Sequence, residues 1–154
     1  MPAPTVRPAQ LDDANAIAKM CELLWPDATA DEHRKDIADL LTSCYSGTLP
    51  ATIFVAHDET GNLTGFLQAG LRSHADGCDT AQPVGFVEGW FVNEASRKQG
   101  IGTALMRFAE QWARKQGCLE IASDTWIDDE MSIDAHQALG FEVVDRCVHF
   151  RKSL

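Results

Sequence analysis

Val84-Gly85-Phe86-Val87-Glu88-Gly89-Trp90-Phe91-Val92 is followed, after Asn93 to Ser96, by Arg97-Lys98-Gln99-Gly100-Ile101-Gly102. The β-branched and aromatic run reads as a central strand. Behind the glycines, Ile101, Ala104, Leu105, Phe108 and Trp112 recur at helical spacing, and Gly117 stops that helix. Glycine at a strand-to-helix turn lets the backbone approach a ligand with no Cβ in the way. The first helix amides have no intrahelical partner, and the helix dipole adds positive potential there. Such a turn suits a pyrophosphate. A P-loop would need Gly-Lys-Ser/Thr, which is absent, and a dinucleotide fingerprint lacks its third glycine, because Thr103, Ala104 and Leu105 follow.

Outward from this stretch the chain alternates strand and helix signals. Val6 lies in a short first strand. Asp12 and Asp13 then offer an N-cap and favourable first-turn charge to a helix whose Ile17, Met20, Cys21 and Leu24 share one face, and Pro26 ends it. A second helix is expected from about Asp31 to Thr42, with Ile37, Leu40 and Leu41 inward. Thr52 to His57 and Leu63 to Leu71 read as a hairpin around Glu59-Thr60-Gly61-Asn62, and residues 72–83 as a polar loop. After the long helix come a strand over Leu119 to Ser123, a helix over Ser132 to Leu139 and two closing strands over Glu142 to Lys152. One α/β domain over residues 1–154 is expected, with a mixed, largely antiparallel sheet flanked by helices.

Bulk properties narrow the function. The net charge of −10 argues against nucleic acid or an anionic membrane as partner and is compatible with a polycationic substrate. Asp27, Asp31, Glu32, Asp36 and Asp39 crowd the segment after Trp25, whereas Arg97 and Lys98 mark the candidate phosphate loop. No run of about twenty apolar residues is present, and the first residues carry neither a basic nor an apolar signal region. The five cysteines are irregularly spaced and include no Cys-x-x-Cys, so neither a zinc site nor a disulfide framework is indicated. A cytoplasmic protein without metal is expected.

The pattern Arg-x-x-Gly-x-Gly between strand and helix, with a later helix ending in Gly140-Phe141, resembles the coenzyme A loop of the GCN5-related N-acetyltransferases. Leu24-Trp25-Pro26-Asp27, Val87 to Val92, Ala122-Ser123-Asp124 and His136 to Phe141 are similar to the bacterial aminoglycoside 6'-N-acetyltransferases, a likeness covering nearly the whole chain. The resemblance implies a sheet splayed between the strands of Glu88 and Asp124, with the acetyl-CoA thioester in the gap. It implies transfer to the 6' amine of an aminoglycoside antibiotic by direct attack, hence resistance, and a homodimer. Backbone groups of Trp90, Phe91 and Val92 would pair with the pantetheine, and the amides of Lys98, Gln99, Gly100, Ile101, Gly102 and Thr103 would hold the pyrophosphate. Asp129 stands where relatives carry a pantetheine-contacting Asn.

Amine acetylation also needs a base, because an alkyl amine is mostly protonated at neutral pH. Glu88 lies mid-strand, where glutamate is disfavoured, and by alternation shares a face with Phe86 and Trp90; a partly exposed glutamate paired to an arginine is the structural alternative. Asp124 ends the next strand, where a turn aspartate bonding the backbone is the alternative. The resemblance carries over substrate contact to both, with Asp124 as base and Glu88 as orienter or alternate base. It also assigns substrate contacts to Trp25, which a core corner beside Pro26 explains equally, and to Asp145, which in a dimer would face the partner's cleft. His74, in the 72–83 loop, could reach the substrate, and a solvent-exposed loop histidine is the alternative and simpler reading. His136 occupies the position of the superfamily's acid tyrosine, but a satisfied helix histidine is the alternative reading, and a thiolate can also leave unassisted. Rival functions are the same fold acting on a polyamine, an amino-sugar or a protein lysine, and a non-catalytic acyl-CoA-binding module, which would not need both Glu88 and Asp124.

Overall fold

The computed structural model describes residues 2–154. The elements in chain order are β1 (Thr5–Pro8), α1 (Ala14–Leu24), α2 (Ala30–Ser43), β2 (Tyr45–Ser46), β3 (Leu49–His57), β4 (Leu63–Arg72), β5 (Val84–Val92), α3 (Ile101–Lys115), β6 (Ile121–Ser123) and α4 (Glu130–Ala138). The sheet runs β1-β3-β4-β5-β6, with β2 added to β3. All pairings are antiparallel except β5 with β6. The single parallel pair follows from the connection between its strands, since a crossover helix, α3, returns the chain in the same direction.

The helices cover both faces. Ile17, Met20 and Cys21 of α1 and Ile37 and Leu40 of α2 pack on Ile53, Val55 and Phe66. On the opposite face, Ile101, Leu105, Met106 and Ala109 of α3 pack on Phe54, Leu67, Ala69 and Val87. The α3 stripe is turned from expectation: Met106, Ala109 and Ala113 are buried, while Phe108 and Trp112 are half-buried at its margin. Small residues face the sheet because the helix lies close to it; Ala113 would clash with any Cβ at Gly85.

Local chemistry explains the helix ends. Thr29 and Glu32 form a reciprocal capping box at α2. Asp13 accepts from the Gln10 amide and takes both arms of the Arg7 guanidinium, at 2.7 and 2.9 Å, tying β1 to the start of α1. Gly117, at φ +87°, follows the end of α3.

The expected closing strands are absent. Residues 142–154 form no strand, and Val143, Val144, Val148 and Phe150 lie exposed. A two-stranded hairpin is marginal without a neighbour. Here β6 offers only three residues of edge, and Asp145-Arg146 lacks the glycine or asparagine of a tight hairpin turn.

Candidate active site

The register of β5 and β6 creates an opening in the sheet. Gly85, Phe86 and Val87 pair with Ile121, Ala122 and Ser123, and there the pairing ends. β5 continues to Val92, so its edge towards β6 is left without a strand over Glu88 to Val92. Glu88 on β5 and Asp124, just past the end of β6, are the next residues beyond the last pair.

Glu88 is also a β-bulge. Ala69 of β4 pairs with Val87 and Gln68 with Gly89, leaving Glu88 as the extra residue. A bulge re-aims side chains, and this one breaks the expected alternation. Trp90 therefore does not share the face of Glu88. It packs in the α3 cluster, and its indole N–H donates to the Gly102 carbonyl at 3.1 Å. Glu88 stays with Phe86, on the side of α1 and α2.

That side carries Arg72. Its guanidinium lies 3.5 Å from the centroid of the Phe86 ring and donates to both Glu88 oxygens, at 2.9 and 2.8 Å. Donation to Glu88 holds the guanidinium above its ordinary range against the cost of desolvation; the charges of Glu88 and Asp124 add to the effect. The structural alternative for Glu88, an arginine pair, is thus realised at a site that still faces a cavity. Asp124 is exposed and takes part in none of the described side-chain hydrogen bonds or ion pairs.

The cavity, about 280 Å³, is lined by Cys21, Trp25, His33, Asp36, Ile37, Leu40, Gln68 and Glu88. Trp25 serves as wall and core corner together. Its ring stands edge-on to Phe66 at 6.4 Å, its carbonyl meets His33 Nε2 at 3.1 Å, and a Cβ on Gly89 would collide with it. Cys21 lies in the apolar floor, where burial pushes its thiol up to about 12.

On the other side of the opening lies the glycine turn. Arg97 donates to the Val92 carbonyl at 3.0 Å, so this cation braces the turn. Lys98 and Gly100 adopt left-handed backbone, at φ +61° and +79°. Gly100 is the N-cap of α3 and no side chain caps the helix, so the amides of Ile101, Gly102 and Thr103 face outward as an anion would require. Gly102 carries a second constraint besides access for a ligand: an added Cβ would come within 3.1 Å of the Trp90 indole. The residues fit coenzyme A on two counts. The uncapped terminus beside Lys98 suits a pyrophosphate, and the β5 edge at Trp90, Phe91 and Val92, which no strand covers, suits the amides of a pantetheine arm. A further groove of about 460 Å³, between α3 and α4, begins at Thr103 and includes Arg107 and Leu139.

His136 of α4 stands over the opening, edge-on to Trp90 at 5.2 Å and to Phe141 at 5.3 Å. Its Nε2 lies 2.8 Å from Ser123 Oγ and its Nδ1 2.7 Å from the Ser132 carbonyl. Asp129 caps α4 by accepting from the Ser132 amide at 3.0 Å, which occupies one carboxylate oxygen. Asp145 lies on the exposed C-terminal segment and accepts only from the adjacent Arg146 amide; it is not brought to the cavity within this chain. His74 is exposed, with its Nδ1 3.2 Å from Ser73 Oγ. Among the described residues no group of His, Cys, Asp and Glu is placed to hold a metal ion.

Sequence reasoning missed Arg72, Asp36, Gln68 and Ser123. Arg72 shares its parity with Gln68 and its face with Phe86, a signal readable only once the β4–β5 register is known. In the sequence Asp36 is one of several acidic residues after Trp25, with nothing to single it out.

The pattern of the Acetyltransferase (GNAT) family matches residues 17–141. An aminoglycoside N(6')-acetyltransferase type 1 of Klebsiella aerogenes is 40% identical over 153 residues, covering 99% of this chain and 98% of that protein. Its namesake from Stenotrophomonas maltophilia is 36% identical, covering 99% and 95%. Among solved structures, AAC(6')-Iy in complex with a bisubstrate analogue, CoA-S-monomethyl-acetylneamine, superposes with a TM-score of 0.87 at 30% identity, over 99% of this chain and 100% of that one. AAC(6')-Ih from Acinetobacter baumannii gives 0.85 at 31% identity over 99% of both chains. With an uncapped glycine turn, a parted parallel pair and this degree of likeness, the chain belongs to the GNAT acetyltransferases and, within them, to the family of the aminoglycoside N(6')-acetyltransferases of type 1.

Proposed function

We propose that this enzyme, acting as one cytoplasmic catalytic domain, transfers the acetyl group of acetyl-CoA to the 6' amine of aminoglycoside antibiotics and so confers resistance. The observation that carries the reading is the juxtaposition, about one parted strand pair, of a coenzyme A-shaped edge and turn with an acidic, tryptophan-walled cavity. An aminoglycoside is a polycation with apolar sugar faces, which Trp25 complements in shape and Asp36 and Glu88 in charge. The names of the relatives support the same substrate.

Bound acetyl-CoA supplies an activated thioester. The peptide groups of Trp90, Phe91 and Val92 align its arm, and the amides from Lys98 to Thr103 hold its pyrophosphate. Trp25 packs against a sugar ring, and Glu88, fixed by Arg72, orients the ammonium groups. Asp124, without a competing partner, takes a proton from the 6' ammonium directly or through water. Transfer is direct within a ternary complex. Burial holds the Cys21 thiol near 12 and raises the Cys78 and Cys118 thiols as well, so none of these is a ready thiolate nucleophile.

We further propose a homodimer in which a partner copy covers Val143, Val148 and Phe150 and brings Asp145 to a cleft. Light scattering of the purified protein should give twice the chain mass, and Phe150→Asp should shift it towards the monomer. A wild-type monomer would remove this assembly and with it the substrate contact of Asp145.

The activity is tested by coenzyme A release from acetyl-CoA with tobramycin, which has a 6' amine, beside paromomycin, which has a 6' hydroxyl. Release with tobramycin alone and a gain of one acetyl mass is expected. Comparable release with paromomycin would move the target to another amine. No release with either, despite acetyl-CoA binding, would favour a polyamine or protein acceptor or a non-catalytic module.

A further inference from the structure

The proton balance of the reaction leaves a task that Asp124 does not perform. A substrate ammonium loses two protons from nitrogen on becoming an amide. The first leaves before attack, and the second must go to the departing sulfur or to solvent. Ser123 and His136 lie at the closed end of the opening and take no other part in the site.

Their hydrogen bonds have a direction. The Ser132 carbonyl can only accept, so His136 Nδ1, 2.7 Å away, carries the ring proton. Nε2 then presents a lone pair, and Ser123 Oγ, 2.8 Å away, donates to it. Ser123 is the last β6 residue paired with β5, next in sequence to Asp124. The His136 ring meets Trp90 from β5, and Trp90 in turn is bonded to Gly102 of the phosphate turn. The imidazole therefore bridges the two strands where they part. Ser123 and His136 are both half-buried, so the pair lies at the margin of solvent.

From this geometry, and resting on the reading that the thioester lies between β5 and β6, we infer that Ser123, backed by His136, carries a proton from the attacking amine to the leaving thiolate. As the C–N bond forms, the nitrogen passes its second proton to Ser123 Oγ, and the serine proton moves to His136 Nε2. The C–S bond breaks with its electron pair on sulfur. Sulfur then takes a proton from Ser123 Oγ, and Nε2 returns its own to the serine. One proton has moved from nitrogen to sulfur, and the pair is restored. Ser123 is the catalytic residue in this account, and His136 is a positioning and relay residue acting through it.

The test is single-turnover acetylation of tobramycin by Ser123→Ala, Ser123→Thr, His136→Asn and the Ser123→Ala/His136→Asn double variant, with acetyl-CoA affinity measured by calorimetry. Asparagine keeps a donor where Nδ1 stood and removes the Nε2 acceptor, which preserves the Ser132 bond and keeps the test open if the serine variants fold poorly. Ser123→Ala and His136→Asn are each expected to slow the chemical step by about tenfold or more, with acetyl-CoA affinity within about twofold of wild type. The double variant should be no slower than the worse single one, because the residues act as a unit. Ser123→Thr, which keeps the hydroxyl, should regain most of the rate, and the solvent deuterium isotope effect should fall in both slow single variants. A wild-type rate for either single variant, additive losses in the double, or Ser123→Thr as slow as Ser123→Ala at unchanged acetyl-CoA affinity would overturn the relay. Absence of tobramycin turnover in the wild type would overturn the proposed function, and the relay with it.

Discussion

Glu88 of β5 and Asp124, just beyond β6, each lie one residue past the last pair of the parallel strands, Val87 with Ser123. Their surroundings differ in kind. Glu88 occupies a bulge, faces a cavity with an apolar floor, and has both oxygens engaged by Arg72, itself braced on Phe86. Asp124 follows the end of a three-residue strand, is exposed, and feels Arg72 only through its charge. A carboxylate locked by a bidentate arginine is preorganised to hold a cation but poorly placed to accept a proton, since protonation would break the pair. A carboxylate without a partner gives up nothing when it takes one. On the proposed reading, the tertiary contacts of a single arginine divide two carboxylates at one opening between orientation and proton transfer.

The largest effect that would break this division is expected from Asp124→Asn. Turnover should fall on the order of 100-fold, while calorimetry gives an acetyl-CoA affinity near that of wild type. Unchanged turnover in a folded variant would remove Asp124 from the role of base. Glu88→Gln sharpens the comparison from the other side: KM for tobramycin should rise about tenfold with kcat reduced less than about threefold, the signature of lost ground-state binding. Should Glu88→Gln cost as much in kcat as Asp124→Asn, the two carboxylates would share the base role.

The smallest effect belongs to a control remote from both. Arg7→Ala removes the bidentate partner of Asp13 and should lower stability by about 1–2 kcal/mol at neutral pH, towards the lower figure because Arg7 is partly exposed. The Arg7 hydrogen bond holds the Asp13 carboxyl below its ordinary range. Its contribution is therefore complete above the unfolded carboxylate value and is lost as pH falls through the folded one. The gap in denaturation midpoint between wild type and variant should narrow below about pH 4. A gap independent of pH would assign the stability to the alkyl stem of Arg7 instead.

Much of the fold was legible because it rests on local signals. β5 begins at Val84 and ends at Val92 as its β-branched and aromatic run predicts, and α3 begins at Ile101 behind its glycines. The first two helices follow the spacing of Ile17, Met20 and Cys21 and of Ile37 and Leu40. Expectation failed where the outcome depends on a neighbour. Residues 142–152 carry strand-like valines, yet a strand exists only against an edge, and none among the described residues takes them up. The face of Trp90 followed from the bulge at Glu88, which is set by the pairing with Gln68 and Ala69 and leaves no mark in alternation.

The same boundary runs through the site. The glycine turn was legible in the sequence, since an uncapped helix start preceded by Gly100 in left-handed backbone is a property of consecutive residues. The sequence also set Glu88 within one strand and Asp124 at the end of the next, which in the structure closes one residue earlier, at Ser123. Only the tertiary structure decided that Arg72 would take Glu88 and leave Asp124 free, that Asp36 would join Trp25 around a cavity, and that Ser123 would meet His136. Those contacts join residues far apart in the chain. Their existence depends on strand register and helix docking, which the packing of the whole core sets, whereas a turn or a helix start is fixed by the residues that form it.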